Sequence, residues 1–237
     1  MKYVLSVFLS IFIQHNLTAQ KIINDPNVVV RPVESFHSIE VSGGIDLYLS
    51  KGDPVVAVSA KDKANRDRIV TEVENGVLKI YYDWKDGVRF GFSDKDLKAY
   101  VSYETILSLF ISFGSNIRVD GTLKASVLQL QVKGGSEFKG RVETEELNIE
   151  VSAGSDIGIS GKTTRLNIEA SAGSDVNGYD LESAICNVSA SGGSDINLTV
   201  NKELSAEASG ASDVNWKGSA TVKKSKVSGA SQVSHRS

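Results

Sequence analysis

Apolar residues in the second half of the chain recur two apart, in short runs broken by one repeated turn. The turn is two residues, mostly Gly or Ala, then Ser, then a hydrogen-bond acceptor. It appears as Phe113-Gly114-Ser115-Asn116, Gly134-Gly135-Ser136-Glu137, Ala153-Gly154-Ser155-Asp156 and Ala172-Gly173-Ser174-Asp175. It continues as Gly192-Gly193-Ser194-Asp195, Gly210-Ala211-Ser212-Asp213 and Gly229-Ala230-Ser231-Gln232. Successive serines lie 21, 19, 19, 20, 18 and 19 residues apart. Eight, six and four residues before the serine come Leu107, Leu109 and Ile111, then Leu128, Leu130 and Val132, then Leu147, Ile149 and Val151. Two residues after it comes another apolar position: Ile117, Phe138, Ile157, Val176, Ile196, Val214 and Val233. The positions between are polar, as in Asn148 and Glu150 or Asn167 and Glu169.

Alternation with period two marks half-buried strands, because successive side chains of a strand point to opposite faces. A unit of this length cannot fold alone, but stacked units bury one continuous core. A meander of antiparallel hairpins is the alternative. Equivalent positions carry matching residue types, which hairpins would pair in mirrored order, so the solenoid is preferred. The expected fold is all-β: a right-handed parallel β-helix, or β-solenoid, with coils of about 19 residues. Parity puts the serine at the bend on the inward side, where its hydroxyl can hydrogen-bond along the stack. It also puts the small residue two before the serine inward. In the last coil Lys223, Ser225, Val227, Val233 and His235 replace the apolar rows, as suits a coil with one face open to water.

A smaller β-rich part with one short helix precedes the repeats. Ile39 and Val41, then Gly43-Gly44, then Leu47 and Leu49 read as a diverged coil. Val55 to Ala60 reads as a strand. Lys61 to Glu72 is charged and lacks Gly and Pro, and is the expected helix. Asn75-Gly76 signals a hairpin turn leading into Val77 to Tyr82. Asp83 to Asp96 reads as a loop. The expected organisation is a signal peptide at 1–19, a linker at 20–32, the β-rich part at 33–105 and the repeat solenoid at 106–237. The signal is read from Lys2, the apolar run Val4 to Ile13 and the small Ala19 before Gln20. No cysteine stands there for a lipid anchor, and no second apolar segment predicts a membrane span in the mature chain.

Three stretches carry a family resemblance: Phe36-His37-Ser38-Ile39-Glu40-Val41-Ser42-Gly43, Asn75-Gly76-Val77-Leu78-Lys79-Ile80, and the Gly-Ser-Asp coils. Together they resemble the putative auto-transporter adhesin, head GIN domain family of exported Bacteroidetes-type proteins, over roughly residues 33–235. The resemblance implies a β-helical fold and an envelope or extracellular setting. It brings no catalytic residue and no ligand.

Charge narrows the partners. Without Lys2 the chain has 25 basic and 29 acidic residues, a net charge of −4 with His neutral, which gives no electrostatic case for nucleic acid. Cys186 is the only cysteine, so neither an intrachain disulfide nor a Cys-based zinc site is expected. His37 and His235, the two histidines after the signal, fall in the core rows of the first and last coils. No Ser-His-Asp or His-cluster arrangement is visible.

The candidate ligand-binding residues form two outward rows and a loop. The first row contains Asp156, Asp175, Asp195 and Asp213. The second, two residues on, contains Asn177, Asn197 and Asn215. Stacked carboxylates repel by roughly 1 kcal/mol per neighbour even in water, so something must offset them. One offset is hydrogen bonding of each Asp to its own turn. The other is a hard cation: Ca²⁺ takes all-oxygen ligands of the kind that Asp175/Asn177, Asp195/Asn197 and Asp213/Asn215 would supply. The loop carries Trp84, Phe90 and Phe92 among Lys85, Arg89 and Lys95, and aromatics so placed stack on sugars or anchor a partner. Outward Phe110 is expected to pack against the N-terminal part. The function this predicts is a non-catalytic exported protein, periplasmic or at the cell surface, whose solenoid face meets a glycan or protein partner. A carbohydrate-active β-helix enzyme using the Asp row and a Ca²⁺-stabilised structural module are the alternatives. Strand edges at the solenoid ends leave a homo-oligomer open.

Overall fold

The structure, a computed structural model, describes residues 25–84 and 95–236; the expected signal segment 1–19, Phe90 and Phe92 lie outside them. In chain order come β1 (Val29–Arg31), β2 (Ser38–Ser42), β3 (Asp46–Lys51), β4 (Val55–Ser59) and α1 (Lys63–Arg66). Then follow β5 (Ile69–Glu74), β6 (Val77–Tyr82), β7 (Lys98–Tyr103) and β8 (Ser108–Ser112). β9 (Asn116–Lys133), β10 (Glu137–Ser152), β11 (Asp156–Ser171), β12 (Asp175–Ala190) and β13 (Asp195–Ala208) each run through most of a coil. β14 (Asp213–Lys217), β15 (Thr221–Val227) and β16 (Gln232–His235) complete the described chain.

The coils stack in parallel and in register, forming a β-solenoid of about seven turns. Leu147 pairs with Leu166, Asn148 with Asn167, Ile149 with Ile168 and Asp156 with Asp175. Like residues therefore stand above like, which excludes the hairpin meander. Two ladders flank the serine turn. The entry ladder, before the turn, runs β5-β6-β2-β8 and then through the C-terminal halves of β9 to β13 to β15. The exit ladder, after it, runs β1-β4-β7-β3 and then through β9 to β14 to β16. Leu128, Leu147, Leu166, Cys186 and Leu204 make one fully buried column between them. Burial pushes the Cys186 thiol up to about 12, so it serves as a small core residue.

The first coil in sequence is not the first in space. β2 lies between β6 and β8, and β3 between β7 and β9. The β6/β7 coil therefore stacks on the outer side of the β2/β3 coil. Beyond it, antiparallel β4 and β5 end the parallel stack.

The inward serines are as the pattern predicts: Ser115, Ser136, Ser155, Ser174, Ser194 and Ser212 are all buried. Each hydroxyl from Ser155 to Ser231 accepts from the backbone N–H of the preceding coil's serine, at 3.1–3.4 Å. Ser115 does the same for Gly44 and Ile45. The bond runs hydroxyl to backbone, which satisfies an N–H that the tight turn would otherwise bury without a partner.

Several expectations are corrected. The small residues before the serine point outward and are exposed, as at Gly134, Ala153 and Gly154. From Phe113-Gly114 to Gly210-Ala211 both turn residues have positive φ, for example 58° at Ala153 and 66° at Gly154. Two left-handed residues turn the intervening side chains outward, although Val151, Ser155 and Ile157 keep the same inward parity on both sides of the turn. The small side chains answer to φ rather than to burial. Leu107 is 44% exposed, and Ile106 takes its place in the core as the chain enters from the N-terminal coils. The helix is one turn, Lys63–Arg66, capped by Asp62 accepting from the Asn65 N–H. Residues Ile69–Glu74 form β5 instead, because the hairpin at Asn75-Gly76 requires a partner strand for β6. His37 is exposed rather than in a core row; His235 continues the core row of Leu198 and Trp216, stacked on the Trp216 ring at 4.1 Å, and is exposed because no described coil covers it.

Candidate functional site

Pleating puts alternate residues of the entry ladder outward. One outward column is Ser108, Gln129, Asn148, Asn167 and Asn187; its neighbour is Phe110, Gln131, Glu150 and Glu169. Between them lies a shallow depression of about 440 Å³, lined by these residues from Ser108 and Phe110 to Asn167 and Glu169. Parallel in-register stacking creates it by bringing three polar pairs, Gln129/Gln131, Asn148/Glu150 and Asn167/Glu169, onto one surface beside Ser108 and Phe110.

Side chains hold the depression in place. Asn167 Nδ2 donates to Asn148 Oδ1 at 2.7 Å, and Asn187 Nδ2 donates to Asn167 Oδ1 at 3.0 Å. Asn148 Nδ2 reaches Glu146 Oε1 at 3.2 Å. Gln131 donates to Glu150, whose other oxygen meets Lys133 Nζ at 2.7 Å. The Lys133 hydrogen bond holds the Glu150 carboxyl below its ordinary range. Phe110 has Glu40 of the N-terminal coil on one side and Gln131 on the other. It is half-buried, with the rest of its ring open to the depression.

The exit ladder carries the two rows read from the sequence, and they are in register. Asp156, Asp175, Asp195 and Asp213 stack in one column, and Asn177, Asn197 and Asn215 in the next. None of the four carboxylates receives a hydrogen bond from its own turn among the described residues, since the serines take that role. Burial first, then the Asp175 and Glu137 charges, push the Asp156 carboxyl up. Burial and the Asp175 and Asp213 charges do the same at Asp195. Asn215 is engaged by Arg236, whose Nε donates to its Oδ1 at 2.9 Å. Among the described residues no group of three or more His, Cys, Asp or Glu side chains is placed so that it could hold a metal ion.

Trp84 packs edge-on to Tyr82 at 4.7 Å, against the end of the core, with Lys95 Nζ 4.8 Å from its ring centroid. It is neither beside the Asp column nor in the depression. Phe113 occupies a left-handed turn position (φ 52°) and is 77% exposed, where the sister coils carry Gly or Ala. Sequence reading singled out neither Phe113 nor the depression as a site. The signal for the depression is a polar residue recurring at the same outward place in four consecutive coils.

Residues 35–220 match the family described as "Putative auto-transporter adhesin, head GIN domain". Several solved structures share the fold. One is a putative adhesin from Bacteroides fragilis, 17% identical, with a TM-score of 0.80 over 90% of this chain and 98% of that one. A putative lipid binding protein from Parabacteroides distasonis is 20% identical, with a TM-score of 0.65 over 90% and 98%. A putative adhesin from Parabacteroides merdae is 16% identical, also at 0.65 over 90% and 98%. No curated protein matches. No helix among the described residues is long and apolar enough to cross a membrane.

Proposed function

We propose that this chain, which belongs to the head GIN domain family of putative auto-transporter adhesins, is a non-catalytic, exported binding module. Its working surface is the outward face of the entry ladder, and its partner is a glycan or protein outside the cytoplasm. The observation that carries this reading is the depression, where a half-exposed aromatic ring meets ordered amides and carboxylates with bonding capacity to spare. Such a surface suits recognition.

The same groups do not suit hydrolysis. A glycosidase needs one carboxyl held protonated near neutral pH beside a second that is ionised. Lys133 instead holds Glu150 ionised. On the exit ladder the Asp156 and Asp195 carboxyls are both raised, by burial first and then by neighbouring carboxylates, with Lys139 pulling only Asp156 the other way; among the described residues no His is paired with either to give them separate tasks. The name of the Parabacteroides distasonis neighbour raises lipid as a partner, but an acyl chain needs an apolar trough. The one apolar side chain on the outward face of the depression is Phe110.

The test is binding of the mature chain to a glycan array and to extracellular matrix proteins, beside an Asn148→Arg variant that fills the depression. The expected result is saturable binding that the variant loses with its fold intact. Equal binding by the variant, or turnover of a bound polysaccharide, would contradict the proposal.

A further inference from the structure

We infer that the depression binds a linear, neutral polysaccharide laid along the solenoid axis, one sugar ring per coil, with Phe110 as the stacking platform at one end. This rests on the proposed reading that the entry-ladder face is the binding surface, and adds the ligand's chemistry, direction and length.

The direction follows from the repeat. Coils recur at about 4.8 Å, close to the advance of one pyranose ring in an extended chain. Four coils line the depression, so each successive ring of an extended chain meets the side chains of one coil. A peptide strand has no matching period in this direction. Its backbone also needs an open sheet edge, and β8 to β11 are paired on both sides here.

The chemistry follows from the side chains. The Phe110 ring can take the C–H face of a sugar. Planar amides suit hydroxyls, each of which both donates and accepts. Asn148 and Asn167 each spend one N–H and one acceptor site, on each other and on Glu146, Asn148 or Asn187, and keep one of each. Gln129 is exposed and has no side-chain partner among the described residues. Because the amide ladder is already ordered, binding loses little side-chain entropy. The two charged residues lining the depression are Glu150 and Glu169. That sign repels uronates and sulfated glycans and leaves neutral chains.

The experiment is calorimetric titration of the mature chain with β-1,4- and β-1,3-gluco-oligosaccharides and N-acetylglucosamine oligomers of two to six sugars. Affinity is expected to rise with length and level off at about four sugars, the number of coils in the depression. Phe110→Ala should weaken the best ligand about tenfold, the size of one aromatic contact. Gln129→Ala, at an exposed site, should weaken it with no change in melting temperature, which separates a binding defect from a folding one. Asp195→Asn on the opposite ladder should leave affinity unchanged. Binding without length dependence, or untouched by both entry-face variants, would overturn this inference and leave glycan recognition standing. Failure of every neutral series, with an anionic or branched glycan still captured on the array, would do the same. Capture of no glycan and no protein at all would overturn the functional reading itself.

Discussion

Ser174 Oγ accepts from the buried backbone N–H of Ser155, one coil back, at 3.4 Å, while its own hydroxyl donates to the Ser171 carbonyl at 2.8 Å. The repeated serine is therefore a structural link between coils, placed where a left-handed turn would leave an N–H buried and unpaired.

Ser174→Ala removes that acceptor. The stranded N–H should cost about 1–3 kcal/mol of stability, read as a lower urea midpoint at unchanged m-value. Ser231→Ala, in the more open last coil, should cost less because water can replace the hydroxyl. Equal losses at the two positions would contradict the role.

Glycines at the bends divide into two kinds. A Cβ on Gly161 (φ 116°) would lie 1.9 Å from the Val142 carbonyl oxygen, whereas one on Gly154 (φ 66°) would meet nothing within 4 Å. Gly161→Ala should destabilise by roughly 3 kcal/mol or more, and Gly154→Ala by about 1 kcal/mol from backbone strain alone. Chemical denaturation of the two variants side by side checks the order.

Phe113 holds a strained conformation with its ring in water. Phe113→Gly relieves a strain of about 1–2 kcal/mol, less the added freedom of glycine in the unfolded chain, about 0.4–1 kcal/mol. A melting temperature raised by a few degrees is expected. Phe113→Ala keeps the strain and should gain little. A destabilised glycine variant would show that the ring makes a contact worth more than the strain.

Asp195 tests the carboxylate column. Its folded-state pKa lies above the ordinary value of 3.8, so the ionised form weakens the fold at neutral pH. That penalty fades as pH falls through the folded pKa towards the unfolded one. Asp195→Asn should raise the melting temperature at pH 7, by an amount equal to about a few tenths of a kcal/mol per screened neighbour. The gain should shrink towards pH 4. Glu150 and Glu207, whose pKa values are lowered by lysines, lose their stabilisation over the acid range in both proteins. The variant must therefore be compared with the parent at each pH.

The stacking of Leu147 on Leu166 and of Asp156 on Asp175 was legible in the sequence, because a parallel solenoid repeats its residue types in register. The outward turn residues were not. Ala153 and Gly154 both have positive φ, and period-two counting does not register that left-handed residues turn their side chains outward. Nor was the position of β2 between β6 and β8, since pairing order in space is set by long-range packing that no local pattern reports. The hairpin at Asn75-Gly76 was visible, yet it outweighs the helix-like composition of Lys61 to Glu72 because β6 has to pair. At the site, sequence reading favoured the conspicuous Asp column. The depression depends on which ladder faces outward beside Phe110, and only the assembled coils show that three modest polar pairs share one surface with it.

The most direct test of the binding surface is a nitrogen-15 NMR titration of the mature chain with the strongest-binding neutral tetrasaccharide from the array. The account predicts that the side-chain amide signals of Gln129, Gln131, Asn148 and Asn167 move, while those of Asn177 and Asn197 on the opposite ladder stay. Movement centred on Asn177 and Asn197, with the entry-ladder amides unchanged, would contradict it.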